Sequence, residues 1–244
     1  MIQAFFKGKS GIEFIQNEDF KTSSSIGLLQ YLPDDVFWNI MRDSCIGFNT
    51  TGFGKIKSFV FWVHTDPTDT RNTNYVEPDV WIETEKYDVI IEVKKSDENG
   101  TYPQSMEQWE DQIQSIKNEQ SNNEYEKPII LIALGGNENM QPENALGSPV
   151  YKASWYNLMN AVVNERDAQS DNGYICRILD DVVELFARQG IMKMEWFNTL
   201  PLTSVDAHAL GLWKTIKSKP SVGFSAIPQM IINETNIQQW RPIN

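Results

Sequence analysis

The stretch Glu77-Pro78-Asp79-Val80-Trp81-Ile82-Glu83-Thr84-Glu85-Lys86-Tyr87-Asp88-Val89-Ile90-Ile91-Glu92-Val93-Lys94-Lys95 decides how the rest of the chain is read. Residues 79–83 (DVWIE) and 87–94 (YDVIIEVK) are two β-prone runs separated by the short turn TEK, which predicts a hairpin. Side chains alternate along a strand, so Glu92 and Lys94 emerge on one face while Val89, Ile91 and Val93 emerge on the other. In the first strand Asp79 and Trp81 face opposite to Val80 and Ile82, and the turn brings Asp79 beside the Glu92–Lys94 face. Two carboxylates and one ammonium thus converge on an otherwise apolar sheet. Partly desolvated charges are costly without partners, so a pure packing role is a poor reason for them.

A chemical purpose exists for this set. Hard divalent cations such as Mg²⁺ are held by one or two carboxylates, with water and substrate phosphate in the remaining positions. A metal so held polarises a phosphate and lowers the pKa of attacking water. A lysine one side chain further along the strand can orient that water and stabilise developing negative charge.

Pro78-Asp79, then Glu92-Val93-Lys94 preceded by the apolar Val89-Ile90-Ile91 and followed by a glutamine-bearing helix, resembles the motif of the PD-(D/E)XK, or restriction-endonuclease-like, nucleases. The resemblance implies an α/β fold with a central mixed sheet flanked by helices, its core ordered helix–strand–strand–strand–helix–strand. It implies that Asp79 and Glu92 bind Mg²⁺ or Mn²⁺ together with the backbone carbonyl of Val93, that Lys94 acts on the attacking water, and that Gln108 faces the site. The implied activity is metal-dependent endonucleolytic hydrolysis of phosphodiester bonds, in DNA rather than RNA, in bacterial or phage defence or in DNA processing. A homodimer or a partner protein would supply target choice. Many members also carry a glutamate on the first core helix. The helix expected at 34–45 has none, which leaves Asp43 or Asp35 as substitutes; Glu13 and Glu18 lie upstream without a clear helical context.

The flanking sequence supplies the expected element order. Residues 23–45 read as two short helices, serines capping the first, Pro33 and Asp34-Asp35 opening the second. Residues 56–64 (IKSFVFWVH) look like a buried strand and residues 128–134 (PIILIAL) like another. Between hairpin and last strand, Met106, Trp109, Ile113 and Ile116 give one buried face to a helix over 102–117, along which Gln104, Gln108 and Gln112 form a stripe. Residues 135–149 read as a long polar loop, followed by helices at 153–168 and 174–189, the second stopped by Gly190. Residues 1–200 are thus expected to form the nuclease-like domain. The proline-punctuated 201–244 reads as an irregular extension packed on it.

Composition narrows the alternatives. With 41% hydrophobic residues and eight tryptophans, the 244-residue chain can bury a core. No apolar run reaches the roughly 20 residues of a membrane span. The N-terminus lacks a signal-peptide pattern, and Cys45 and Cys176 show no paired spacing, so a cytoplasmic protein with free thiols is expected. His64 and His208 have no cysteine partners in a zinc pattern, and neither GxxxxGK[ST] nor GxSxG occurs. The net charge is −12, and residues 61–130 alone carry six basic and sixteen acidic side chains. That acidity opposes a nucleic-acid binder held by phosphate contacts. It keeps open a catalytically inactive nuclease-fold module that binds a protein or nucleic acid, and an acidic DNA mimic.

Overall fold

The computed structural model describes residues 18–97 and 103–191. In chain order they form α1 (Glu18–Leu29), α2 (Asp34–Ser44), β1 (Ile56–Phe61), β2 (Val80–Thr84), β3 (Asp88–Val93), α3 (Met106–Asn122), β4 (Ile129–Leu134), β5 (Glu143–Ala145), β6 (Ser148–Ala153), α4 (Trp155–Ala168) and α5 (Gly173–Arg188). The strands make one mixed sheet of order β1-β2-β3-β4-β6-β5. β1, β2 and β3 are antiparallel neighbours, β3, β4 and β6 run parallel, and β5 closes the sheet antiparallel to β6. Parallel β3 and β4 cannot be joined by a tight turn, and α3 makes the crossover between them.

The alternation expected for the hairpin divides the core into two layers. Val80, Ile82, Val89, Ile91 and Val93 join Ile130, Ile132 and Leu134 under α1, α2, α4 and α5, with Phe37, Met41, Leu158 and Phe186 against them. On the other face Trp81, Ile90, Leu131 and Ala133 pack beneath α3 through Trp109, Ile113 and Ile116. Both layers seal β3 and β4, all of whose residues are buried. Such runs read as continuous apolar stretches because water touches neither face.

Several expectations are corrected. The 56–64 strand ends at Phe61, where Trp62 turns to φ 48°, and as the sheet's edge it is half-buried rather than buried. The helix assigned to 102–117 covers Met106–Asn122, because Ser105 caps it by accepting the Gln108 N–H; Tyr102 lies outside the described residues. The supposed loop 135–149 holds the β5–β6 hairpin, closed by Leu146 and Gly147 at φ 47° and 84°, the two left-handed residues that a two-residue turn requires. The serines at 23–25 do not cap a helix. They lie inside α1, which already includes Glu18, and Ser24 and Ser25 donate their hydroxyls to the Lys21 carbonyl.

All described residues belong to one compact unit within Met1–Lys193. The extension expected over 201–244, with His208, lies outside the described residues. Among those described, no helix is long and apolar enough to cross a membrane.

Candidate metal and catalytic site

Strand register assembles the site. Val80 pairs with Ile91, so one step further along the antiparallel ladder Asp79 stands across from Glu92. Glu92 in turn pairs with Ala133, and Ala133 with Lys152. One row of side chains beneath α3 therefore runs Asp79, Glu92, Ala133, Lys152, with only a methyl group between Glu92 and Lys152. Since β3 lies inside the sheet and Glu92 and Lys94 are 2% and 8% exposed, their pairing is not a surface contact on an edge strand.

Glu92 is held by three donors. The Lys94 ammonium lies 2.5 Å from Oε1, Gln108 Nε2 donates to the same oxygen at 2.6 Å, and Gln112 Nε2 donates to Oε2 at 2.5 Å. Gln104 Nε2 reaches the Glu92 backbone carbonyl at 3.1 Å, while its Oε1 accepts the Trp109 indole N–H. All three glutamines thus converge on one residue. Gln108 was singled out on the family resemblance; Gln104 and Gln112 read in the sequence as ordinary solvent-facing positions. Their four-residue spacing was the available signal, since it puts them on the stripe beside buried Trp109, Ile113 and Ile116.

Asp79 accepts the Val93 N–H through Oδ2 at 2.8 Å, and its Oδ1 accepts no hydrogen bond among the described residues. Burial and, next, the charge of Glu92 push its carboxyl up to about 8, against the Val93 hydrogen bond and the Lys94 charge. Burial alone would lower the Lys94 ammonium. Glu92, by charge and hydrogen bond, with Glu18 and Asp79 behind it, more than offsets that and holds it above its ordinary value.

Among the acidic residues of the first two helices, Glu18 lies beside this row, whereas Asp43 does not. Asp43 is exposed near the end of α2, Asp35 is exposed at its start, and Asp34 accepts the Ile56 N–H. Glu18 accepts the Lys95 N–H at 2.8 Å, and it interacts electrostatically with Lys94, Glu92 and Asp79; burial raises its carboxyl, with Lys94 opposing. One turn on, Lys21 donates to the Lys95 carbonyl at 2.7 Å, its ammonium 4.2 Å from the Trp155 ring centroid. Burial first, and Lys95 among the charges, lowers Lys21 to about 8 against Asp97 and Glu18. Lys95, the residue after Lys94, is therefore gripped at both its N–H and its carbonyl by one helix. The Trp155 indole N–H adds a bond to the Lys94 carbonyl at 2.7 Å, and Asp97 caps α4 by accepting the Trp155 and Tyr156 N–H groups.

The turn after β4 presses on the same lysine. Gly136 has φ 64°, and a Cβ there would lie 2.9 Å from Lys94 Cβ and Cγ; one on Gly135 would meet the Lys94 carbonyl at 2.8 Å. Gly136→Ala is therefore expected to cost about 2 kcal/mol from left-handed strain and the clash together. That should lower the melting temperature by roughly 4–8 °C, measured by calorimetry.

The remaining positions are tied up elsewhere. Lys95 has an exposed side chain opposite Lys94. Arg71 pairs with Glu110 and Asp111 on α3. Glu77 pairs with His64. Lys152, which the sequence did not single out, is held by Glu143 and by Asn139 Oδ1 at 3.2 Å, with Trp109 beneath it at 5.5 Å.

Among the described residues no group of three or more His, Cys, Asp and Glu side chains is arranged as a metal cage. Mg²⁺ needs none, since one or two carboxylates suffice when water and phosphate complete its shell. The residues present fit such an ion: Asp79 offers an oxygen that is unbonded among the described residues, beside Glu92, and the Lys94 ammonium interacts with three carboxylates, Glu18, Asp79 and Glu92. A divalent charge would balance that excess. No family model matches the chain, and no curated protein or solved structure matches it either.

Proposed function

We propose that this chain is a metal-dependent endonuclease of restriction-endonuclease-like fold that hydrolyses phosphodiester bonds in DNA, acting in the cytoplasm and directed by a second copy or a partner protein. One observation carries the reading: Asp79 and Glu92 stand in register across β2 and β3, under a helix whose glutamines fix Glu92, with the Lys94 ammonium 2.5 Å away. Asp79, Glu92 and the Val93 carbonyl would hold Mg²⁺ or Mn²⁺, which supplies charge for the phosphate and a lowered pKa for water. Gln108 and Gln112 fix the plane of the Glu92 carboxylate, Gln104 holds its carbonyl, and Lys94 orients the attacking water and stabilises the charge that develops on phosphate oxygen. Glu18 and Lys21 hold the backbone N–H and carbonyl of Lys95 and so keep the chain just after Lys94 in place. A defence or DNA-processing role follows from the resemblance alone.

One feature favours the inactive-module alternative: both Glu92 oxygens are already engaged by protein donors. Incubating wild type with supercoiled plasmid and with single-stranded DNA, in Mg²⁺, in Mn²⁺ and in chelator, separates the two readings. Metal-dependent cutting is expected. Absence of cutting on every substrate, joined to absence of Mn²⁺ binding in calorimetry, would favour the module.

A further inference from the structure

The pairing of β1 with β2 does not stop at the strand ends. The Trp62 N–H donates to the Asp79 carbonyl at 3.2 Å, and Thr65 and Val76 exchange both backbone hydrogen bonds, at 2.8 and 3.2 Å. A two-residue-wide ribbon therefore leaves the sheet next to Asp79. Within it His64 stands across from Glu77, and His64 Nε2 lies 2.9 Å from Glu77 Oε2. The His64 ring stacks on Tyr75, with centroids 3.6 Å apart and planes 11° apart. The pair is open to water: the His64 side chain is 59% exposed and Tyr75 is 44% exposed. Two rings that use one face each on the other still present outer faces to solvent.

The support beneath this pair is rigid. The loop that follows is tied to α3 by the Asp66 N–H to Glu119, by Asn118 to the Asp66 and Thr68 carbonyls, and by Arg71 to Glu110, Asp111 and the Glu107 carbonyl. Those bonds commit the Arg71 guanidinium to α3. They also anchor the loop that joins His64 to Tyr75, which lowers the cost of ordering it on binding.

Resting on the nuclease reading, we propose that the His64–Tyr75 stack is a nucleobase-binding subsite beside the catalytic row, and that it makes unpaired, single-stranded nucleic acid the preferred substrate. Glu77 is two residues from Asp79, roughly 7 Å along an extended chain, so the stack lies within reach of a nucleotide flanking the bond to be cut. A base can lie on an open ring only when it is free of its own stack, as in single strands, ends and flaps. Stacking also meets the difficulty raised by net charge. A body with ten more acidic than basic side chains over residues 61–130 gains little from phosphate contacts, whereas base–aromatic stacking needs no basic surface.

The test measures binding by fluorescence anisotropy in Ca²⁺, with the full chain and a labelled single strand or its duplex. Wild type is compared with Tyr75→Ala, Tyr75→Leu, which keeps apolar volume without a π-face, and Tyr75→Trp. Wild type should prefer the single strand. Tyr75→Ala and Tyr75→Leu should lose about 10–100-fold on the single strand and less than about twofold on duplex, and Tyr75→Trp should restore binding. Removing the one base that stacks should cost wild type the same factor and cost Tyr75→Ala nothing. Unchanged single-strand affinity in both Tyr75→Ala and Tyr75→Leu, or an equal loss on duplex, would overturn the subsite while leaving the nuclease intact. Wild type that neither binds nor cuts any nucleic acid would overturn the nuclease reading, and the subsite with it.

Discussion

Replacing Lys94 by methionine should lower the rate of DNA cleavage by about 10²–10⁴-fold while leaving metal binding in place. The size follows from the proposed role of Lys94, which is both to position water and to stabilise transition-state charge. Methionine keeps most of the buried volume beside Gly136, so a packing defect is not the cause of the loss. Glu92 keeps two amide donors, Gln108 and Gln112, and with the ammonium gone it is a freer ligand for a cation. Single-turnover cleavage and calorimetric Mn²⁺ titration of the same preparation make the comparison. Loss of cleavage together with loss of metal binding would assign Lys94 a structural role instead.

Asp79→Asn should remove the pH dependence that the Asp79 carboxyl imposes on the metal-free site. A carboxyl raised in the folded state to about 8, by burial first and then by Glu92, contributes stability while protonated and loses it as pH climbs through that raised value. Metal-free wild type should therefore lose stability between about pH 4 and about pH 8 from this residue alone, on the order of 2 kcal/mol given that the carboxyl is not wholly buried. Asparagine keeps the shape and the hydrogen bond from the Val93 N–H but carries no charge. The variant should match wild type near pH 5 and exceed it near pH 9 in chemical denaturation. Mn²⁺ should stabilise wild type more at pH 8.5 than at pH 5.5, because at the lower pH it must displace the proton, and should do little for the variant. Equal pH profiles for the two proteins would show that Asp79 carries no such burden.

The legible part of the fold was the part in which apolar pattern and burial coincide. Val89, Ile91 and Val93 against Glu92 and Lys94 give a strand whose faces can be told apart, and a short turn then leaves Asp79 little choice but to stand beside Glu92. α3 was legible for the same reason, through Trp109, Ile113 and Ile116. α1 was not. Its buried face includes Lys21, Thr22, Ser24 and Ser25, whose hydroxyls and ammonium are satisfied by backbone carbonyls, so no apolar period announces it and Glu18 could not be placed. The β5–β6 hairpin hid behind a Leu146-Gly147 turn that lacks the usual Asn-Gly or Asp-Gly signal, and behind Pro149 in a strand beside the sheet edge. The glutamines were visible as a stripe. That all three reach Glu92 is a fact of tertiary packing, not of the stripe itself.

Crystals grown with Mn²⁺ and measured for anomalous scattering test the site most directly. A peak joined to Asp79 Oδ1 and the Glu92 carboxylate, with the Lys94 ammonium turned away from Glu92 toward solvent or a bound phosphate, is the expected result. Mn²⁺ bound only elsewhere, with the Lys94–Glu92 contact of 2.5 Å and the Asp79–Val93 hydrogen bond unaltered, would contradict a metal centre at this row.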